Sequence, residues 1–207
     1  ISFFSYCQNT QFIEFFLRFV VTKFHFPTFH EMFPVEKRKL KLLREWLRYR
    51  ARRLFFAAQC QALVDFIHEN PLWQPVFAQY PYRVNTLLSQ YCDKHFNATQ
   101  RLDAIKTNFA IAEKHFGVAL CETLISQQPV LLAQLTDELA LNLTLNHIDP
   151  YEGFFAIALT DANQRTIYSA SFTFLTDNRL LIASIQGPKG DEAQDLVRQA
   201  TKLLHGV

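Results

Sequence analysis

Apolar positions recur at helical spacing through the first half of the chain and at alternate positions through the second. Phe12, Phe15, Phe16 and Phe19 fall at i, i+3, i+4 and i+7, which predicts a helix with four phenyl rings on one face. Docking on a core and lying on a membrane surface are the two readings of that face. Phe24 to Pro34 holds two prolines and two histidines and reads as a loop. Leu40, Leu43, Leu47 and Leu54 mark a stripe with Trp46 beside it, and lysine and arginine cover the rest. This is an amphipathic basic helix, whose head groups can snorkel around a half-buried stripe. Further helices are predicted at Ala57–Glu69 and Val84–His95, interrupted by Asn70-Pro71 and Tyr80-Pro81-Tyr82. The clearest helix is Ala98–Phe116. Leu102, Ile105, Phe109, Ala112 and Phe116 step by three or four, Asn97 caps the start, and Gly117 follows the end.

From Glu138 the period becomes two. Leu139, Leu141, Leu143 and Leu145 alternate with Ala140, Asn142, Thr144 and Asn146, giving a strand with one apolar and one polar face. Gly153–Thr160 is a second strand, Asp161-Ala162-Asn163-Gln164 a hairpin turn, and Arg165–Leu175 a third strand. In the third, Tyr168, Ala170, Phe172 and Phe174 share one face. Ile167, Ser169, Ser171 and Thr173 share the other, which reads as the solvent side of the sheet. A turn at Thr176-Asp177-Asn178 leads into Leu180–Ile185. A final helix follows, with Ala193, Leu196, Val197, Ala200, Leu203 and Leu204 on its buried face. The fold class is α+β: a helical N-terminal region at 1–79, then a core at 80–207 with an antiparallel meander of about four strands and a closing helix.

Composition sharpens this picture at three points. With 49% hydrophobic and 19% charged residues the chain is globular, not disordered. Its net charge of +2 is a cancellation. Lys37 to Arg53 holds nine cations and one acid, so that window is +8. The remainder, with twelve cations and eighteen acids, is −6. All five glycines lie at or beyond Gly117. The longest apolar run near the start, Phe12 to Val21, has ten residues and contains Glu14 and Arg18, too short for a membrane span. No signal peptide is legible, and the chain starts at Ile1 rather than Met, so a leader is not ruled out.

Cys7, Cys60, Cys92 and Cys121 are scattered and form no C-x-x-C pair. That pattern fits a reducing compartment and argues against a metal centre. Cys92 and His95 stand three apart on the expected helix, but two ligands do not make a site. The expectation is a cytoplasmic protein, peripheral to the inner membrane. Three readings of the basic helix stand: a solvated face, an anionic lipid or lipopolysaccharide surface, and nucleic acid. The second draws on Lys41, Arg44, Arg48, Arg50, Arg52 and Arg53. No recognition motif sits beside the helix, which argues against nucleic acid.

Several segments together carry a family signature. They are Tyr80-Pro81-Tyr82-Arg83, Glu152-Gly153, Ile167 to Phe174, Ile185-Gln186-Gly187-Pro188-Lys189-Gly190, and Ala200-Thr201-Lys202-Leu203-Leu204-His205-Gly206. The chain resembles the VirK/YbjX family of bacterial proteins over Tyr80 to Gly206. The resemblance implies an envelope- or virulence-associated role, in surface-protein display or in resistance to cationic antimicrobial peptides. It supplies no reaction and no catalytic residues. Family members continue past the His-Gly pair, so it also implies that this chain is truncated at its C-terminus.

One ligand site is suggested by the residues. A strand runs through Gln186, Gly187, Pro188, Lys189 and Gly190 into a helix, where glycines and free amides suit a phosphate. The order of elements resembles Gcn5-type N-acyltransferases, which implies acyl-coenzyme A at this loop. Against it, Lys189 and Asp191 stand where that family's loop has glycines, and Asp191 and Glu192 already complement the helix start. The structural alternative is a turn with an acidic helix start. Glu152, Ser171, Lys202 and His205 are further candidates for a polar site, each with an ordinary surface role as its alternative. No Gly-x-Ser-x-Gly, His-Glu-x-x-His or Walker pattern is present.

Overall fold

The computed structural model describes residues 23–33, 39–146, 149–176, 178–188 and 190–205. The phenylalanine-rich stretch Phe12 to Phe19 lies outside them. Contacts divide the chain into two compact units, Ile1–Val84 and Asn85–Val207.

The first unit is helical. The segment expected to be a loop contains a one-turn helix, α1 (Phe29–Met32). Thr28 makes it possible. Its hydroxyl accepts from the Glu31 amide, and Glu31 Oε2 accepts from the Thr28 amide at 2.6 Å, a reciprocal capping box. The basic helix α2 spans Lys39–Phe55 and α3 spans Ala57–Glu69. The Tyr49 hydroxyl donates to Pro27 O at 2.8 Å, and His68 Nε2 donates to Phe24 O at 2.8 Å. These bonds satisfy carbonyls of a segment that has no ladder partners of its own. Phe24, Phe26, Phe29 and Met32 are buried with Cys60, Leu63, Val64 and Ile67 of α3. A 3-10 turn at Pro71–Trp73, helix α4 (Gln74–Ala78) and a 3-10 turn at Pro81–Val84 complete the unit.

The second unit starts with α5 (Asn85–Leu88). The longer helix expected to His95 ends here. Cys92 adopts φ +54, and Tyr91 and Asp93 form an isolated bridge, so the backbone turns where the apolar spacing alone would continue. Helix α6 runs Ala98–Phe116, with the Asn97–Gln100 capping box at one end and Gly117 at φ +74 at the other. Helix α7 is Val118–Ile125.

A five-stranded antiparallel sheet follows in simple sequential order. Its strands are β1 (Val130–Thr136), β2 (Leu139–Leu145), β3 (Phe155–Asp161), β4 (Thr166–Thr176) and β5 (Arg179–Gln186). Strand β1 is the one the alternation does not show. It is an edge strand with two register shifts, so its side chains do not alternate cleanly between faces. Helix α6 packs on β4, where Phe116 meets Phe174 at 5.7 Å, and Phe109 and Phe116 meet Phe155 of the neighbouring β3 at 6.5 and 5.6 Å. Helix α8 (Asp191–His205) rests Leu196 and Val197 on a cluster of Leu135, Leu139, Leu159 and Ile167.

Candidate functional site

Pairing fixes which side chains share a face. Thr144 lies opposite Ala156, Ala158 opposite Ser169, Ala156 opposite Ser171, Ser171 opposite Ser184, and Ser169 opposite Gln186. Two of the candidate residues, Ser171 and Gln186, therefore lie on one small-residue face spanning β2 to β5. This face is not the solvent side expected for Ser171 and Thr173. Both are buried. Ser171 Oγ donates to Ser184 Oγ at 3.2 Å, and Thr173 shares a hydrogen bond with the Tyr91 hydroxyl. The expected solvent side is therefore corrected: alternation groups residues by face but does not say what covers that face. Nor could it show that Tyr91 comes from 82 residues away to bond Thr173.

The other candidates disperse. Glu152 belongs to a 3-10 turn (Pro150–Glu152) before β3, and its Oε2 is buried with no hydrogen-bond partner among the described residues. Lys202 is exposed on α8, while the side chain of His205 and the whole of Lys189 lie outside the described residues. The strand entering the Gln186–Gly190 loop is a sheet edge, paired to β4 alone. Gly190 has φ +91, and the Gln194 amide donates to its carbonyl at 3.2 Å, so this glycine sets the entry to α8. Among the described residues no group of three or more His, Cys, Asp or Glu side chains is placed to hold a metal ion.

The basic helix differs most from expectation. Its apolar stripe is not half-buried. Leu40 is 85% exposed, Leu54 77% and Phe55 80%, with Leu43 and Leu47 more than half exposed. Tyr49 is the residue that α2 buries. The cations split by role. Arg53 donates to Phe26 O at 3.3 Å and to the Tyr49 hydroxyl at 3.2 Å, and stacks 4.8 Å over the Phe26 ring, so it fastens the fold. Arg44 and Arg48 share Glu45 at 3.4 and 3.0 Å on the surface. Arg50 lies 5.7 Å from the Trp46 ring. A groove of about 860 Å³ opens beside α2, with Phe29, Trp46, Leu47, Leu54, Arg50 and Arg53 among the residues lining it. The exposed stripe is legible as a pattern in the sequence. Its exposure is not, because periodicity says nothing about what covers a face.

The Tyr80–Arg83 segment of the family signature has a structural role. Arg83 is buried, donates to Val76 O at 2.9 Å and stacks 4.7 Å over Tyr80. Burial pulls its pKa down to about 10.

Comparison with known proteins agrees with a family assignment. A protein of Haemophilus influenzae described as uncharacterized is 50% identical over 186 residues, covering 89% of this chain and 64% of that protein. A second uncharacterized protein of that organism is 24% identical over 187 residues, covering 90% of this chain and 63% of its own length. "Membrane protein LapB" of Mannheimia haemolytica is 30% identical over 161 residues, covering 77% of this chain and 70% of that protein. The chain thus spans under two-thirds of the length of the two Haemophilus relatives. No solved structure matches it significantly. The family described as "Protein of unknown function (DUF535)" matches residues 38–207, from the basic helix to the last residue, and the chain belongs to that family.

Proposed function

We propose that this chain is an envelope-associated bacterial protein that attaches to an anionic lipid surface through α2. The observation that carries the reading is the exposed leucine stripe of α2, flanked by lysine and arginine. Exposed apolar area on a helix costs solubility unless something covers it. A lipid interface accepts the stripe, and its anionic head groups accept the cations, at about 1 kcal/mol for each basic residue near the surface. The adjoining groove mixes the same two chemistries, with apolar side chains and arginines in one lining. Among the described residues no helix is long and apolar enough to cross a membrane, so attachment by α2 would be peripheral. The printed name of the Mannheimia relative, a membrane protein, supports the same direction. The finer role, in surface-protein display or resistance to cationic peptides, rests on the VirK/YbjX resemblance.

Co-sedimentation with vesicles tests this. The protein binds phosphatidylcholine vesicles containing phosphatidylglycerol and releases them as salt rises. Replacing Lys39, Lys41, Arg44, Arg48 and Arg52 with Gln lowers partitioning by about a hundredfold or more. Arg53 is left intact because it fastens the fold. Equal binding to neutral and anionic vesicles, or no effect of the five substitutions, would overturn the reading.

A further inference from the structure

The groove beside α2 takes its lining from three helices of the first unit. Leu47, Arg50, Ala51 and Leu54 fall at i, i+3, i+4 and i+7, so one face of α2 forms its long side. Phe29 of α1 and Ala57 of α3 also line it. From Leu47 to Leu54 the helix rises roughly 10 Å. Ala51 stands in the middle of that face and leaves a trough that a larger side chain would fill. Leu47 and Leu54 belong both to this face and to the exposed stripe, at 54% and 77% exposure. The groove therefore opens beside the surface that a bilayer would cover.

The charge around the groove has one sign. Arg50, Arg53 and His30 line it, and no Asp or Glu does. The acids closest in sequence are engaged elsewhere. Glu31 accepts from the Thr28 amide and pairs with His25 at 3.1 Å, and Glu45 is shared by Arg44 and Arg48. The polar groups of the lining differ in what they leave open. Arg53 donates to Phe26 O, and the Tyr49 hydroxyl donates to Pro27 O, so both are committed to the fold. Arg50 has no hydrogen bond or ion pair among the described residues, and its guanidinium lies 5.7 Å from the Trp46 ring. A guanidinium stacked on an indole keeps its donor edge open to an acid.

Lining and charge together select the occupant. Apolar side chains from three helices gain from covering by hydrocarbon, which a sugar or a bare ion does not supply. An unopposed guanidinium accepts a carboxylate or a phosphate and repels an ammonium. A volume of about 860 Å³ is that of a ligand site. We propose that the groove seats one acyl chain of an anionic membrane lipid, with the acidic head group at Arg50. The inference rests on attachment through α2 and deepens it. The stripe lies on the bilayer, and the groove takes a single lipid from it, at one chain per protein.

Quenching of tryptophan fluorescence by bromine-tagged chains tests it. Bromine quenches on contact, and Trp46 lines the groove while Trp73 is buried at 1% exposure. The probes are bromododecanoate, bromododecanol and bromododecyl-trimethylammonium, each tagged at the chain end and kept below its micelle concentration. The acid quenches saturably at one chain per protein, and the alcohol and the ammonium bind about tenfold more weakly. Arg50→Gln lowers affinity for the acid to that for the alcohol. Ala51→Phe fills the trough and abolishes quenching, with folding checked by circular dichroism. No saturable quenching by the acid up to about 1 mM, equal binding of the three chains, or an acid titration unchanged in either variant overturns the proposal. Vesicle co-sedimentation of the wild type keeps the two readings apart. Vesicle binding without saturable quenching removes the groove site and leaves surface attachment standing. Saturable quenching without vesicle binding identifies a free fatty acid as the occupant and overturns the membrane source.

Discussion

The hydroxyls of Tyr91 and Thr173 lie 2.7 Å apart, and neither residue is exposed to solvent. Each is the other's answer to a burial problem. Tyr91→Phe leaves Thr173 with one fewer partner, and Thr173→Val leaves the Tyr91 hydroxyl with one fewer. Either substitution lowers stability by about 1–3 kcal/mol. Urea denaturation reads the loss as a fall in midpoint at unchanged slope. A midpoint unmoved by either change would mean the pair is dispensable.

Gly153→Ala is far more damaging. Gly153 has φ +116, and a Cβ there would run into the carbonyl of Phe172. Backbone strain and collision with a fixed strand add, for a loss of about 3 kcal/mol or more. Soluble expression and circular dichroism check it. This explains the glycine of the Glu152-Gly153 pair without catalysis.

The described cysteines are protected. Burial pushes the thiols of Cys92 and Cys121 up to about 12, and that of Cys60 up to about 11. Thiolate is scarce at pH 8 for such groups. Ellman's reagent should therefore find these three thiols only after unfolding in guanidinium, raising the count by three. Rapid labelling of Cys92 in the native chain would contradict this.

The β3–β4 hairpin is an acid-sensitive joint. Burial pushes the Asp161 carboxyl up. Hydrogen bonds from the Arg165 amide and guanidinium and the Asn163 amide outweigh it and hold the group below its ordinary value. The folded value lies under the unfolded one. The stabilisation is therefore complete above the ordinary carboxylate range and is lost as pH falls through the depressed value. Asp161→Asn removes that dependence. The Tm difference between wild type and variant is largest at neutral pH and shrinks toward about pH 2.

The exposed stripe of α2 makes the opposite kind of prediction. Leu40→Ser and Leu54→Ser change stability by no more than about 0.5 kcal/mol each. A core leucine would cost about 2–5 kcal/mol on truncation to Ala. Both substitutions nevertheless weaken vesicle binding, because they remove area the lipid covers. Thermal melts and co-sedimentation on the same samples separate the two effects.

Much of the architecture is legible in the residues where local signals agree. Helix α6 has periodic apolar spacing, a cap that names its start and a glycine that ends it, and its expected bounds match. Strands β2 to β5 alternate and are bounded by turn residues. Strand β1 is hidden because its register shifts break the alternation and its edge position leaves Leu131 and Leu132 exposed. The end of α5 at Leu88 is hidden because no glycine or proline marks it, and the left-handed position beyond it is taken by Cys92. The candidate site was legible only in parts. Ser171 and Gln186 stand out in the sequence, but the face they share depends on pairings between strands, which single-strand patterns do not contain.

The sequential order of the sheet bears on how the chain is made. Each strand pairs with the strand just before it, across a short turn or the link between β2 and β3. Pairing of this kind closes small loops and keeps contact order low within the sheet. A chain emerging from the ribosome can therefore add one strand at a time, with β1 and β2 already joined before β5 exists. The small-residue face of β2 to β5 assembles in the same order and is complete only when β5 arrives.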